Sequence, residues 1–328
     1  MSNQPLYIDN LQYANWSPAL FDEMKAANLA AVHVTICYHE NFRQTVENII
    51  KWNSFIEHNP DRLLIGKTGA DVRLAHQTGK TAIFYGFQNC SAIEEHLGLI
   101  EVLHQLGGRF MQLSYNNQSL LATGCYENED SGITRFGKQA LKEMNRVGLV
   151  ADVSHTSEKS SFDALKHSNR PIVISHANPD WWHPSKRNKS HNLIKAITEA
   201  NGIIGFSLYP HHLKDGSNCS LESFSQMIAD AASRYGVDSL GIGSDICQGQ
   251  PDSVVEWMRN GTWSKDMNFG EGSRDKAGFP DQPHWFSRIK DFPNLKIGLQ
   301  KEGFSTVEIE KILGMNWLRF YDENFCPE

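Results

Sequence analysis

Two histidines occupy matching points in the chain. His155 closes the run Leu149-Val150-Ala151-Asp152-Val153-Ser154, and His176 closes Pro171-Ile172-Val173-Ile174-Ser175; a helical stretch follows each. Short, nearly continuous apolar runs are what parallel strands buried on both faces look like, and the carboxyl end of such strands is where an α/β barrel carries its catalytic groups. Two neutral imidazoles on neighbouring strand ends can share one metal ion. One such histidine alone reads more readily as a core residue with hydrogen-bond partners; the same placement on consecutive strands reverses that weighting.

A zinc-type ion on His155 and His176 would lower the pKa of a bound water from 15.7 toward about 7. Asp245, at the end of Gly241-Ile242-Gly243-Ser244-Asp245, could take that proton and pass it to a leaving group, the plainer role for it being a turn or helix cap. Tyr115 could donate to a carbonyl oxygen, or simply pack. Arg187, in the loop after His176, suits bidentate capture of a carboxylate, and equally a solvated surface position. His183 and His191 read as surface residues, Trp181 and Trp182 as pocket wall or loop packing. The remaining strand ends offer Asp9, Asn10 and Gln12, then His33 and Cys37, then Gln88 and Asn89, and near the seventh Tyr209 and His211.

Eight segments rich in β-branched and aromatic residues must hold these groups: 6–12, 30–37, 81–88, 109–115, 149–155, 171–177, 202–209 and 239–245. Amphipathic stretches lie between them at 17–28, 92–105, 136–146, 157–167, 193–200 and 221–235. Strand alternating with helix eight times predicts an α/β fold, a (β/α)8 TIM barrel of the metal-dependent hydrolase type; a doubly wound sheet gives no account of the count. With 328 residues, where such a barrel commonly takes about 250, one domain over residues 1–328 is expected. Long connections at 116–135 and 246–295, after strands four and eight, are expected to cover one pocket. A helical run at 305–324 closes the chain, with Val307, Ile312, Leu313, Trp317, Leu318 and Phe320 as its packing surface.

The formal net charge of -7, with no basic run, argues against a nucleic-acid partner and for a small molecule. No GxGxxG or Walker sequence opens a helix, so a nucleotide cofactor has no support. The start Met1-Ser2-Asn3-Gln4-Pro5 has no leader character, and no segment approaches about 18 uninterrupted apolar residues; the expectation is a cytoplasmic protein that does not enter a membrane. Six cysteines without a CxxC spacing fit reduced thiols, with Cys37, Cys125 and Cys247 near strand ends as outside candidates for chemistry.

Taken in order, the runs ending in His155 and His176, the loop Arg187-Asn188, Gly241-Ile242-Gly243-Ser244-Asp245, Gly314-Met315-Asn316-Trp317-Leu318-Arg319 and the turn Gly132-Ile133-Thr134-Arg135-Phe136-Gly137 resemble the membrane dipeptidase (renal dipeptidase) family over nearly the whole chain. That resemblance implies a (β/α)8 barrel holding two zinc ions and hydrolysing dipeptides with a free carboxylate. It assigns His155 and His176 to one metal, Asp245 to proton handling and Arg187, with Asn188 beside it, to the substrate carboxylate. Four positions depart from the pattern. Leu11 and Tyr13 stand where the family has HxD, Gln88 where it has a bridging Glu, and Tyr115 where it has the His that polarises the scissile carbonyl.

Two divalent cations close together need carboxylates to offset their repulsion, so the substitutions point to one metal. His155 and His176 would be its core, with Gln88, Asp245, His33 or Cys37 as third ligand. The expected function is then hydrolysis of an amide or related C–N bond in a small carboxylate-bearing substrate, with Tyr115 or the metal stabilising the oxyanion. Two alternatives stand beside it. One is a non-catalytic relative that binds a metal or ligand; the other is a metal-dependent lyase or isomerase in which Asp245 abstracts a carbon-bound proton. A homodimer is also compatible, with the aromatic-rich 255–290 loop as a contact.

Overall fold

A computed structural model describes residues 5–261, 265–266 and 272–325. Three strands are the longest. β1 (Tyr7–Gln12), β2 (Leu29–Cys37) and β4 (Thr81–Phe87) are buried at every residue, as two-sided packing in a parallel sheet requires. β5 (Gly108–Gln112) and β6 (Val150–Asp152) extend the sheet in the order β1-β2-β4-β5-β6. β7 (Ile204–Phe206) and β8 (Leu240–Ile242) pair with each other.

One strand was not anticipated. β3 (Leu63–Ile65) has only three residues and pairs with the first half of β4, on the side where β5 takes the second half. Its brevity leaves no period to read.

The sixth stave corrects the sequence expectation. Residues 171–177 do not form a regular strand; Val173 bridges Asp152, and Ile174 bridges Ile204. The reason is local. Pro171 has no N–H to give, and the Ser175 N–H goes to the Asp152 carboxylate at 3.2 Å instead of a strand carbonyl. The same device joins β8 to β1. The Ser244 N–H donates to Asp9 Oδ1 at 2.7 Å, while Asp245 N donates to the Leu11 carbonyl and Gln12 bridges Ile246. With these joints the eight staves close, and the expected (β/α)8 barrel is present.

The far end of the barrel is plugged by the helical run Thr306–Asn324, which passes through a π-helical segment at Lys311–Met315. Trp317, Tyr321 and Phe325 meet Phe84 and Phe110 in edge and stacked contacts, and Trp317 Nε1 donates to the Ile242 carbonyl. Gly241 is required there, since a Cβ on it would lie 2.3 Å from Trp317 Nε1. Ile312, Leu313, Trp317, Leu318 and Phe320 are buried as expected; Val307 is 62% exposed and does not pack. No helix among the described residues is long and apolar enough to cross a membrane.

Candidate functional site

The staves deliver their last residues to one mouth. A cavity of ≈ 50 Å³, enough for a few waters, is lined there by Gln88, Tyr115, His155, Arg187, His212 and Asp245 among others. Both long connections reach it: Asn116 and Tyr126 come from the first, and Val255, Met258, Arg259 and Phe279 from the second. Part of the second, and Cys326, lie outside the described residues.

The two histidines meet. His155 Nε2 is 3.0 Å from His176 Nε2 and 3.0 Å from Gln88 Oε1. Their tautomers follow from their other edges. His155 Nδ1 donates to Asn116 Oδ1 at 2.6 Å. His176 Nδ1 lies 2.7 Å from Ser175 Oγ, whose own proton goes to Asp152 Oδ2, so the imidazole is the donor. The Gln88 amide nitrogen donates to Thr35 Oγ1 and the Tyr38 hydroxyl, fixing its oxygen toward His155. Lone pairs of two imidazoles and one carboxamide therefore meet around His155 Nε2, with Arg187 Nη2 3.1 Å from the same nitrogen, a donor set that a metal cation can engage. Burial and the nearby Arg187 guanidinium push both imidazoles well below the usual histidine range, which keeps them neutral.

This donor set fits one divalent ion held by two nitrogens and a carboxamide oxygen. It does not fit two. Among the described residues no group of three His, Cys, Asp or Glu side chains is placed to hold a metal. Leu11 is fully buried in apolar core, and Tyr13 stacks edge-on against Tyr38. The candidates on β2 are also not brought to the site. His33 lies deeper in the barrel, its Nδ1 donating to the Asn10 carbonyl and its ring stacked on Phe110. The Cys37 thiol lies 3.2 Å from Ser91 Oγ, and burial pushes it up to about 12.

Arg187 is 2% exposed and points inward, not into solvent. Its guanidinium donates to the Ser154 and His176 carbonyls, and Nη2 lies 3.1 Å from His155 Nε2. Among the described residues it forms no ion pair with a carboxylate. Asn188 does not reach the cavity. Its oxygen accepts from Asn178 N, and its nitrogen donates to the His183 and His212 carbonyls.

Asp245 sits in a left-handed conformation, φ 56°, which turns it off the end of β8 into the cavity. Burial raises its carboxyl to about 7, with Arg187 pulling it down and Asp9 pushing it further up. The Tyr115 ring lies 4.3 Å from the His155 ring, and burial together with Asp245 keeps its hydroxyl protonated.

Sequence reasoning missed His212 and Arg259. His212 ends a short 3-10 turn, Pro210–His212, and lines the cavity beside His211, which was expected there. Ser207 Oγ accepts from Tyr209 N and lies 2.8 Å from His212 Nδ1, which holds the ring by that edge. The paired histidines after a Pro were the only sequence signal. Arg259 lies in the last turn of the helix Asp252–Asn260, inside a connection too rich in Gly, Asp and Pro to suggest one.

A family model described as membrane dipeptidase, peptidase family M19, matches residues 16–260. A solved amidohydrolase from Pseudomonas aeruginosa is 33% identical and superposes with a TM-score of 0.91, over 98% of this chain and 96% of that one. A metallo peptidase from Rhodobacter sphaeroides, solved with a phosphinate mimic of the dipeptide L-Ala-D-Ala, shares the fold at a TM-score of 0.81 and 16% identity, over 98% and 100% of the two chains. Dipeptidase tcpJ of Claviceps purpurea (strain 20.1) is 26% identical over 289 residues, 87% of this chain and 61% of that protein. The chain thus spans about six tenths of the length of that curated relative.

Proposed function

The chain belongs to the membrane dipeptidase family, and on that premise we propose that it is a metal-dependent hydrolase using one metal ion to cleave an amide or related C–N bond in a small carboxylate-bearing molecule. The observation that carries this reading is the convergence of His155 Nε2, His176 Nε2 and Gln88 Oε1. These three residues would hold the ion, which when bound supplies Lewis acidity and a nucleophile available at neutral pH.

The rest falls to the protein's own side chains. Arg187, a buried cation lacking a carboxylate partner among the described residues, binds the substrate carboxylate. Asp245, poised near neutrality, takes the proton of the attacking water and returns it to the leaving nitrogen. Tyr115 and His212 offer hydrogen bonds to the carbonyl oxygen as it gains charge. Val255, Met258 and Phe279 cover the mouth and keep bulk water out.

Zinc as the ion, one barrel domain over residues 1–328, a cytoplasmic setting and a homodimer belong to the same proposal. Imidazole ligands support the first, and six cysteines without a CxxC spacing suit a reducing compartment.

One observation favours a second reading, a non-catalytic relative. The Arg187 N–H lies 3.1 Å from His155 Nε2 and could satisfy it without a metal. Elemental mass spectrometry on protein purified without chelator separates the two. About one equivalent of metal, lost in His155→Ala and His176→Ala, with products heavier by one water, supports the hydrolase; product of unchanged mass indicates a lyase or isomerase. No metal after reconstitution supports the second reading.

A further inference from the structure

The cavity holds a second guanidinium that the proposed reaction does not use. Arg259 comes from the covering helix Asp252–Asn260, whereas Arg187 rises from the loop after the sixth stave and is anchored on the floor carbonyls of Ser154 and His176. The Arg259 Nη1 donates to the Ala277 carbonyl at 3.3 Å, and Tyr209 lines the cavity with it. Like Arg187, it forms no ion pair with a carboxylate among the described residues.

The other lining groups do not balance these two charges. Asp245 is the one acid among the residues lining the cavity. Two guanidiniums facing one enclosed space repel, and that repulsion is relieved when each meets an anion. Arg187 is held from the floor and Arg259 from the cover, so each presents its guanidinium to the cavity from its own element.

We infer that the substrate carries two carboxylates, one received by Arg187 at the floor and the other by Arg259 with the Tyr209 hydroxyl at the cover. This deepens the proposed hydrolase by naming its substrate class, and it rests on that reading for the reaction alone. The cover would then close by charge as well as by packing, since Arg259 brings its helix onto the far end of the ligand.

The test is binding without turnover. Protein as purified, without added metal, is titrated calorimetrically with butyrate and with the α,ω-dicarboxylates from malonate to adipate. The expected result is at least one dicarboxylate binding ten-fold or more tighter than butyrate. Arg259→Gln should erase that advantage and change butyrate affinity less than two-fold, while Arg187→Gln weakens both classes. Equal affinities in the unaltered protein, no binding of any of these acids, or an Arg259→Gln variant that keeps the advantage would overturn the inference. Failure of the hydrolase reading shows separately, in metal content and product mass, and leaves this binding result standing.

Discussion

His176 reaches the Asp152 carboxylate through one hydroxyl: Ser175 Oγ accepts from the imidazole Nδ1 at 2.7 Å and donates to Asp152 Oδ2. Asp152 also takes the N–H and the hydroxyl of Ser154, and the Ser154 hydroxyl accepts from His176 N. A buried carboxylate thus fixes the tautomer and height of His176 without touching it.

Asp152→Asn should lower metal affinity 10- to 100-fold, the usual cost of losing an outer partner of a ligating histidine. Ser175→Ala should do the same, since it cuts the same path. Competition with a zinc chelator reads both values, and unchanged affinity in both variants would remove Asp152 from the site.

Asp245→Asn should retain the metal, because the carboxylate is not among the three converging donors, and should lower kcat about 10²- to 10⁴-fold. Elemental analysis beside steady-state kinetics checks the two halves. Metal lost together with activity would make Asp245 a ligand.

His212→Gln should reduce kcat about 10²- to 10³-fold, the cost of removing one donor to a developing oxyanion, with little change in KM. A variant that altered KM alone would place His212 in substrate binding.

His33 makes the protein acid-sensitive. Burial pushes its pKa down to about 3, from 6.5 in the unfolded chain, although the bond to the Asn10 carbonyl pulls the other way. Between those values the unfolded chain binds a proton that the native ring refuses, so this contribution is complete above pH 6.5 and is lost as pH falls toward 3, at up to about 1.4 kcal/mol per unit. From pH 6 to 4 the unaltered protein should lose about 2–3 kcal/mol more unfolding free energy than His33→Gln. Urea titrations at the two pH values measure it, and parallel losses would show that His33 is protonated in the native state.

Much of this was legible because barrel chemistry sits at strand ends, and an apolar run announces its own end. His155, His176, Gln88, Tyr115 and Asp245 could all be placed that way, and all line the mouth or meet there. What escaped has local causes. The sixth stave is shorter than its apolar run because the Asp152 side chain takes a backbone proton from it, a competition invisible to periodicity. His212 entered through a three-residue turn, Arg259 through a helix inside an irregular connection, and β3 was too short to carry an alternation. Asn188 showed the opposite error: proximity to Arg187 in sequence suggested a shared role, but its carboxamide is spent on holding the loop.

Asp9 and Asp152 have a consequence for how such a protein can change. In an ordinary ladder every joint is made by the main chain, so altering the width of a barrel mouth means shifting whole strands. Here two joints near the mouth, Asp9 to Ser244 and Asp152 to Ser175, are made through side chains. A joint of that kind is encoded by one pair of codons. Single substitutions can reset it while the staves beneath keep their register, so the aperture can be reshaped for new substrates one heritable step at a time.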